Sequence, residues 1–362
     1  MRKTMKWLAA LAVLVLILAA IGCTKQPEQT TEATTEATTE ATTEATTEAT
    51  TEATTEATTE EATTEEPTTE ETTEALPDTA ITLVDMMGHE VTLAKPAERI
   101  VALSAADCEI VYALGAGGLL VGRGEYCDYP AEVFDVPSVE SGGNTNIEQI
   151  LALEPDVVVM SSMAQNEDQV KQLEDAGVAC VVSNAADIEG TYTSIRLLGA
   201  LLGKDAEAES VVSYMQETFE EIAANKLDGT RTIYFEVSPL EWGLWTAGKG
   251  TFMNEIAEMM GLKNCFDDVD QWAEISEEQV LERNPDYIMT ITMYWGEGPT
   301  PEEEIMGRAG WENVTAVKNG AILNLQNNEL SRPAPRLAEG ARMLYDFIIE
   351  NEATVESLEP AA

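Results

Sequence analysis

The stretch EQILALEPD at residues 148–156 is repeated 130 residues later as EQVLERNPD at residues 278–286, with five identical positions. Each copy runs directly into an apolar stretch typical of a buried strand, VVVM at 157–160 and YIM at 287–289. An asparagine or serine lies two residues before each copy, with a glutamine three residues further on, which is the signature of a capping box. Each copy therefore predicts a short helix, a Pro-Asp turn and a buried strand.

A unit that occurs twice at this separation indicates two similar α/β lobes, with room for a ligand between them. Other strand-like stretches alternate with helical ones around both copies, which favours mostly parallel sheets covered by helices. Between the copies, residues 206–226 contain no Gly or Pro and carry apolar residues at helical spacing. They predict a helix of about 30 Å that joins the lobes. The alternative is an ordinary surface helix within one lobe.

The N-terminus has the pattern of a secretory signal. Basic residues precede an apolar run at 7–21, which is shorter than the roughly 20 residues needed to span a bilayer. We therefore assign residues 1–22 to a signal peptide. AIGC at 20–23 resembles a bacterial lipobox, which implies cleavage before Cys23 and its lipidation. Acyl chains would then hold the protein on the outer face of the cell membrane. An uncleaved membrane anchor is the alternative, and the folded part is exported in either case.

The next segment has a repetitive composition. Residues 23–77 are dominated by a Thr-Thr-Glu-Ala repeat. Its glutamates would repel one another on a helix and it has no apolar face to bury, so we predict a disordered tether. After the tether we predict a first α/β lobe at 78–204, a connecting helix at 205–228 and a second α/β lobe at 229–362.

Charge and residue usage argue against several classes of function. A formal net charge of −46 disfavours contact with nucleic acid or an anionic lipid surface. His89 is the only histidine, so neither a bare metal site nor a His-based nucleophilic triad is predicted. The cysteines after the tether show no CxxC spacing, which argues against a zinc or redox motif and leaves their disulfide pairing open: Cys108, Cys127, Cys180 and Cys265.

One further motif bears on enzyme function. GLWTAGKG at 243–250 nearly matches a phosphate-binding loop, but Gly250 stands where the magnesium-binding Ser or Thr is required. Pairs of carboxylates are too common in so acidic a chain to indicate a catalytic site. We therefore predict that the protein is not an enzyme.

Several motifs together resemble one known family. The stretch at 85–103, DMMGHEVTLAKPAERIVAL, resembles the start of the metal-chelate substrate-binding proteins of ABC importers, which take up ferric siderophores, haem or cobalamin. YCDYP at 126–130 is similar to the Asp-Tyr-Pro segment of cobalamin-binding members, which the chain resembles most. WTAGK at 245–249 and RPAPR at 332–336 follow in the family order. The resemblance extends over about residues 80–355.

The resemblance carries expectations about fold, partners and location. It implies two Rossmann-like lobes with mostly parallel sheets, joined by a single long interdomain helix. It also implies an extracytoplasmic lipoprotein that works as a monomer and delivers its ligand to an ABC permease with its ATPase. No resident cofactor is expected, since the ligand itself would be a cobalt or iron chelate.

Aromatic residues mark the candidate cleft in the second lobe. Ligands of open α/β sheets bind beyond the carboxyl ends of the strands. Trp242, Trp245, Trp272 and Trp295 fall in or near such segments, and so much aromatic surface is expected to be covered by a broad, flat ligand. The alternative is that one or two of these rings fill the core of the lobe.

Three residues of the first lobe and one arginine complete the candidate site. Tyr126 and Tyr129 are expected to face the tryptophans, and Ser161 follows the strand of the first repeat as a further candidate ligand residue. The resemblance implies that Arg332 is a pocket arginine that hydrogen-bonds a carboxylate, phosphate or amide of the ligand. The alternative is a surface arginine before a helix that begins with proline.

The choice of chelate rests on the resemblance and stays open between related ligands. Gly142 and Ser161 stand where similar cobalamin binders place tryptophans, which leaves room for other chelates. Haem binders of the family usually supply a tyrosine near Gly142, and none stands there. We therefore place a corrinoid such as cobalamin ahead of a ferric siderophore or haem. A surface ligand sensor is the alternative from another functional class.

The repeated glutamates of the two copies suggest a docking surface. Glu148 and Glu278 occupy equivalent places in the first turn of the two predicted helices. In the family, the matching glutamates face arginines on a two-fold permease. The alternative is local, because a carboxylate in that position stabilises the helix dipole by about 0.3–1 kcal/mol.

Overall fold

The structure is a computed structural model that describes residues 79–161 and 166–358. The predicted signal peptide at 1–22, the lipidation site Cys23 and the tether at 23–77 lie outside the described residues. In the described part, none of the helices has both the length and the apolar character that crossing a membrane requires.

A hairpin and a parallel sheet form the first half of the fold. The hairpin pairs β1 (Ile81–Val84) with β2 (Glu90–Leu93) in antiparallel fashion. The sheet contains β3 (Ile100–Ala102), β4 (Leu120–Gly124), β5 (Ser138–Val139), β6 (Val157–Met160) and β7 (Ala179–Val182). All its pairings are parallel, in the order β5-β4-β3-β6-β7. Alternate residues of β6 pack in two different apolar clusters, so both faces of this strand are buried, as its continuous apolar run predicts.

A mixed sheet forms the second half. It contains β8 (Thr232–Ser238), β9 (Leu244–Ala247), β10 (Lys263–Asn264), β11 (Trp272–Ile275), β12 (Tyr287–Thr290) and β13 (Ile322–Asn324). The order is β11-β9-β8-β12-β13, and β10 also pairs with β8. Strands β8, β10, β12 and β13 run parallel, whereas β9 and β11 form an antiparallel edge. This edge brings two loop segments of the predicted cleft into the sheet itself.

Helices cover both sheets. The described helices are α1 (Ala105–Ala113), α2 (Ile147–Ala152), α3 (Glu167–Asp175), α4 (Ile188–Leu202), α5 (Asp205–Ala224), α6 (Phe252–Met259), α7 (Glu277–Arg283), α8 (Pro301–Met306), α9 (Thr315–Asn319) and α10 (Leu337–Leu358).

The two copies of the repeat form the predicted units, with a difference at the first helix. Helix α2 leads into β6 and helix α7 into β12. At α7, Ser276 and Gln279 make both hydrogen bonds of a capping box. At α2, Asn146 caps the helix, but the Gln149 side chain accepts from the backbone N–H of Glu140 instead of the cap residue. The prediction of a full capping box is therefore wrong for the first copy, because the preceding loop lies within reach of Gln149.

One long helix joins the two halves. Helix α5 has 20 residues and lies within the predicted connecting segment 205–228. Every described strand of the parallel sheet precedes it and every strand of the mixed sheet follows it. It packs against α4 of the first lobe and α10 of the second, and just after its end the Asn225 carbonyl accepts from the Tyr345 hydroxyl of α10 at 2.9 Å. The α/β fold of two lobes joined by a single long helix is therefore confirmed, whereas the exact domain boundaries stay predictions.

Candidate functional site

A cavity of about 690 Å³ lies between the lobes, at the carboxyl ends of both sheets. The first lobe contributes the segments that follow β3, β6 and β7, and the second contributes residues of β8, β9 and β11 together with residues 331–333. In an open α/β fold, ligands bind in the crevice beyond the carboxyl ends of the parallel strands, so a ligand site is expected here.

The side of the cavity formed by the second lobe is aromatic, and we call it the aromatic wall: Trp245, Phe252 and Trp272. Trp245 lies on β9 opposite Glu274 of β11, two residues from Trp272, so the two indoles project from the same face of the antiparallel edge. The Phe252 ring is buried, and its centroid lies 5.5 Å from that of Trp272 in a tilted arrangement. Buried Phe252 therefore supports one of two partly exposed indoles.

The side formed by the first lobe is made of small and polar residues, and we call it the polar wall. Its side chains include alanines and the following polar groups: Ser104, Asp107, Ser161, Ser183, Asn184 and Ser194. Ser104 caps α1 by accepting from the backbone N–H of Asp107, and its hydroxyl donates to the Asp107 carboxyl at 2.5 Å. Burial raises the pKa of Asp107 to about 6, although the hydrogen bond from Ser104 opposes the rise.

A buried charged cluster crosses between the lobes beside the cavity. Glu109 of the first lobe accepts from Arg332 at 2.9 Å and from Arg336 at 2.7 Å, and its side chain is only 2% exposed. Arg332 also pairs with Asp128 at 2.5 Å, and the Arg336 guanidinium lies 3.7 Å from the ring centroid of Tyr129. Arg332 thus lines the cavity, as its predicted role requires, but carboxylates of the protein already hold its guanidinium.

The structure brings half of the predicted ligand residues to this cavity. Ser161, Trp245, Trp272 and Arg332 line it, whereas four others are not among its lining residues: Tyr126, Tyr129, Trp242 and Trp295. Tyr126 lines a separate recess with residues 140–144. Trp242 and Trp295 are 76% and 82% exposed. The ligand-binding roles of all eight residues stay predictions.

Most of the lining residues were not predicted from the sequence, and Phe252 and Asp107 are the two that matter most for the site. Phe252 follows the near-phosphate-loop motif and directly follows Thr251, the cap of α6, so the motif marks a helix start at the cavity. Asp107 follows Ser104 at capping-box spacing, but one more acidic residue carries no signal in this chain. The fifth tryptophan of the second lobe, Trp311, does not line the cavity. It fills the core of the lobe, where its indole N–H donates to Glu277 at 2.8 Å.

The two glutamates proposed for docking are exposed on short helices. Glu148 lies in the first turn of α2 and Glu278 in the first turn of α7. Hydrogen bonds from its own backbone N–H and from the Ser276 hydroxyl lower the pKa of Glu278. Across the described residues, neither carboxylate forms an ion pair within the chain. Both charges are therefore available to an external partner.

Metal-binding groups are dispersed. Within residues 79–161 and 166–358, no cluster of three or more His, Cys, Asp or Glu side chains could hold a metal ion. His89 instead pairs with Asp85 at 3.0 Å in the hairpin turn. The thiols of Cys108, Cys127, Cys180 and Cys265 are buried and free, and a hydrogen bond with Cys127 raises the pKa of Cys108.

The chain is similar to known transport proteins. The family model described as periplasmic binding protein matches residues 100–329. An uncharacterized ABC transporter substrate-binding lipoprotein of Bacillus subtilis, YvrC, is 32% identical over 275 residues, which cover 74% of this chain and 85% of that protein. The vitamin B12-binding protein of Salmonella choleraesuis is 27% identical over 264 residues, with 70% and 90% covered.

A solved structure agrees with these relatives. It belongs to a possible iron-binding periplasmic solute-binding protein of Staphylococcus epidermidis, with a TM-score of 0.60 and 32% identity, and the match covers 70% of this chain and 99% of that one. Since the family model and the relatives together span both lobes and the helix between them, this chain belongs to the periplasmic binding protein family, as a substrate-binding protein of an ABC transporter.

Proposed function

We propose that this protein captures a metal chelate between its lobes and delivers it to an ABC permease with its ATPase, a corrinoid being the favoured ligand. The observation that carries the proposal is the aromatic wall, in which Trp245 and Trp272 present two partly exposed indoles to a cavity of about 690 Å³. A flat macrocycle covers such rings, and the apolar contact area provides most of the affinity. The B12-binding relative supports the corrinoid, and the possible iron-binding relative supports an iron chelate, either a ferric siderophore or haem, as the alternative.

The location and the absence of catalysis belong to the same proposal. The Bacillus relative is named a lipoprotein, which supports lipidation of Cys23 and anchoring on the outer face of the membrane. The relatives are transport proteins and not enzymes, in keeping with capture and release of an unchanged ligand. As the resemblance implies, we expect the protein to work as a monomer beside its permease.

Native mass spectrometry tests the ligand class. The purified protein is mixed in turn with cyanocobalamin, haemin and ferric siderophores of hydroxamate and catecholate type. We expect a one-to-one complex with cyanocobalamin that survives gentle desolvation. If the protein binds only a siderophore, the ligand is a ferric siderophore and not a corrinoid. Failure of all three classes to bind would refute the proposal.

A second prediction concerns motion of the lobes. Helix α5 packs on both lobes, and Glu109 bonds two arginines across them, so opening the cleft would separate buried charges. We therefore expect small-angle scattering to give nearly the same radius of gyration with and without cyanocobalamin. Glu109→Gln weakens the cluster and should increase the difference. A large closure in the unmodified protein would contradict the rigid connection.

A further inference from the structure

The polar wall contains a carboxyl group without a charged partner. Asp107 is 1% exposed, yet it belongs to the lining of the cavity. The groups that approach it are neutral: the Ser104 hydroxyl donates to it at 2.5 Å, and the nearby Ser183 hydroxyl donates to that of Ser194 at 3.1 Å. A buried carboxyl among hydroxyl groups has unused capacity to accept a hydrogen bond from a ligand.

The nearby cation is already committed. Arg332 lines the same cavity from the opposite lobe, but its guanidinium is held by Glu109 and Asp128. In the described part of the chain, no Lys, Arg or His side chain forms an ion pair with Asp107. The polar wall therefore presents either a negative charge or an uncharged carboxyl to the ligand, and no compensating positive charge.

We propose that Asp107 makes this site selective for chelates whose periphery carries amide or ammonium N–H donors, and against chelates that place a carboxylate there. The inference rests on the proposed function and specifies its ligand class. An N–H donor satisfies the ionised carboxyl at little cost, and a bond to a charged acceptor is stronger than one between neutral groups. A ligand carboxylate in the same place would meet a like charge where water is excluded.

The candidate ligands differ in the groups that their edges would present to Asp107. Cyanocobalamin carries primary amides around its corrin ring, whereas haem carries propionate groups. With its pKa raised to about 6 by burial, the Asp107 carboxyl is mostly ionised at neutral pH. A hydrogen bond from an N–H donor of the ligand favours the ionised form further. The polar wall thus complements a corrinoid edge and opposes that of haem, while the aromatic wall could accept either macrocycle.

Calorimetry with a matched pair of ligands tests the selectivity. Cyanocobalamin is compared with its monocarboxylic acids, in which one propionamide is hydrolysed, isomer by isomer. For the isomer that faces Asp107, we expect the amide to bind at least about tenfold more tightly than the acid, as one uncompensated charge contact costs about 1.4 kcal/mol or more. Asp107→Asn should reduce this ratio towards one. Glu132→Gln, which removes an exposed charge, is the control and should preserve the ratio.

The outcomes separate this inference from the proposed function. If every acid isomer binds the unmodified protein as tightly as the amide, the inference is overturned, and this comparison needs no variant to fold. An equal change for amide and acid in Asp107→Asn would also overturn it, since a structural role acts on both. If cyanocobalamin does not bind but siderophores do, the same calorimetric comparison is made between cationic ferrioxamine B and anionic ferric enterobactin, and the cationic chelate is expected to bind more tightly. Failure of every chelate to bind would instead refute the proposed function.

Discussion

Trp245→Ala combined with Trp272→Ala is expected to weaken the binding of cyanocobalamin by about 100-fold or more. The two indoles project from one face of the β9–β11 edge into the cavity, and each would lose an aromatic contact of about 1.5–2 kcal/mol or more. Phe252 remains behind them as a buried support. Isothermal titration calorimetry measures the loss, and quenching of tryptophan fluorescence by cyanocobalamin should fall with it.

The remaining exposed tryptophans provide the matched control. Trp242→Ala with Trp295→Ala removes the same number of indoles, but these do not line the cavity. We expect this variant to bind within a few-fold of the unmodified protein. Equal losses in both double variants would mean that the ligand covers a wider aromatic surface than the cavity shows, as the sequence pattern predicts. No loss in Trp245→Ala with Trp272→Ala would refute the aromatic wall as the binding surface.

Most of the fold was predictable because its signals are local. The repeated helix–turn–strand unit needs only a cap, a Pro-Asp turn and an apolar run, and all of these lie within a few consecutive residues. Helix α5 is equally visible, since 20 residues without a helix breaker carry a continuous apolar stripe. The first capping box failed at Gln149 because its side chain found a partner at Glu140, which only the folding of the preceding loop brings close.

The candidate site was less predictable because orientation is a tertiary property. Position after a strand suggested three of the exposed tryptophans and position before the second repeat suggested Trp272, but only strand pairing decides that Trp245 and Trp272 share one face. Asp107 gave no signal among 66 acidic residues, since its burial depends on packing between distant segments. Arg332 was identified by its motif, but the sequence could not show that its guanidinium already forms ion pairs with Glu109 and Asp128.

Glu148→Ala combined with Glu278→Ala is expected to abolish transport while leaving ligand affinity nearly unchanged. Both carboxylates are exposed at equivalent places in the two copies of the repeat, and both lie outside the lining of the cavity. If complementary charges on a permease fix the docked orientation, a protein without both glutamates is attracted less strongly and no longer docks in the correct orientation. Uptake into vesicles that contain the cognate permease and ATPase measures the effect, and calorimetry on the same samples measures affinity.

A control on another helix separates docking from helix stabilisation. Glu167→Ala with Asp168→Ala removes two exposed first-turn carboxylates from α3, which belongs to neither copy. Both double variants lose the same favourable dipole interaction, about 0.3–1 kcal/mol per carboxylate, so their melting temperatures should fall similarly. Only the pair at 148 and 278 should lose transport, and replacing both residues by Arg should be worse because like charges would then oppose. Normal transport by Glu148→Ala with Glu278→Ala would leave helix stabilisation as the sole role of these glutamates.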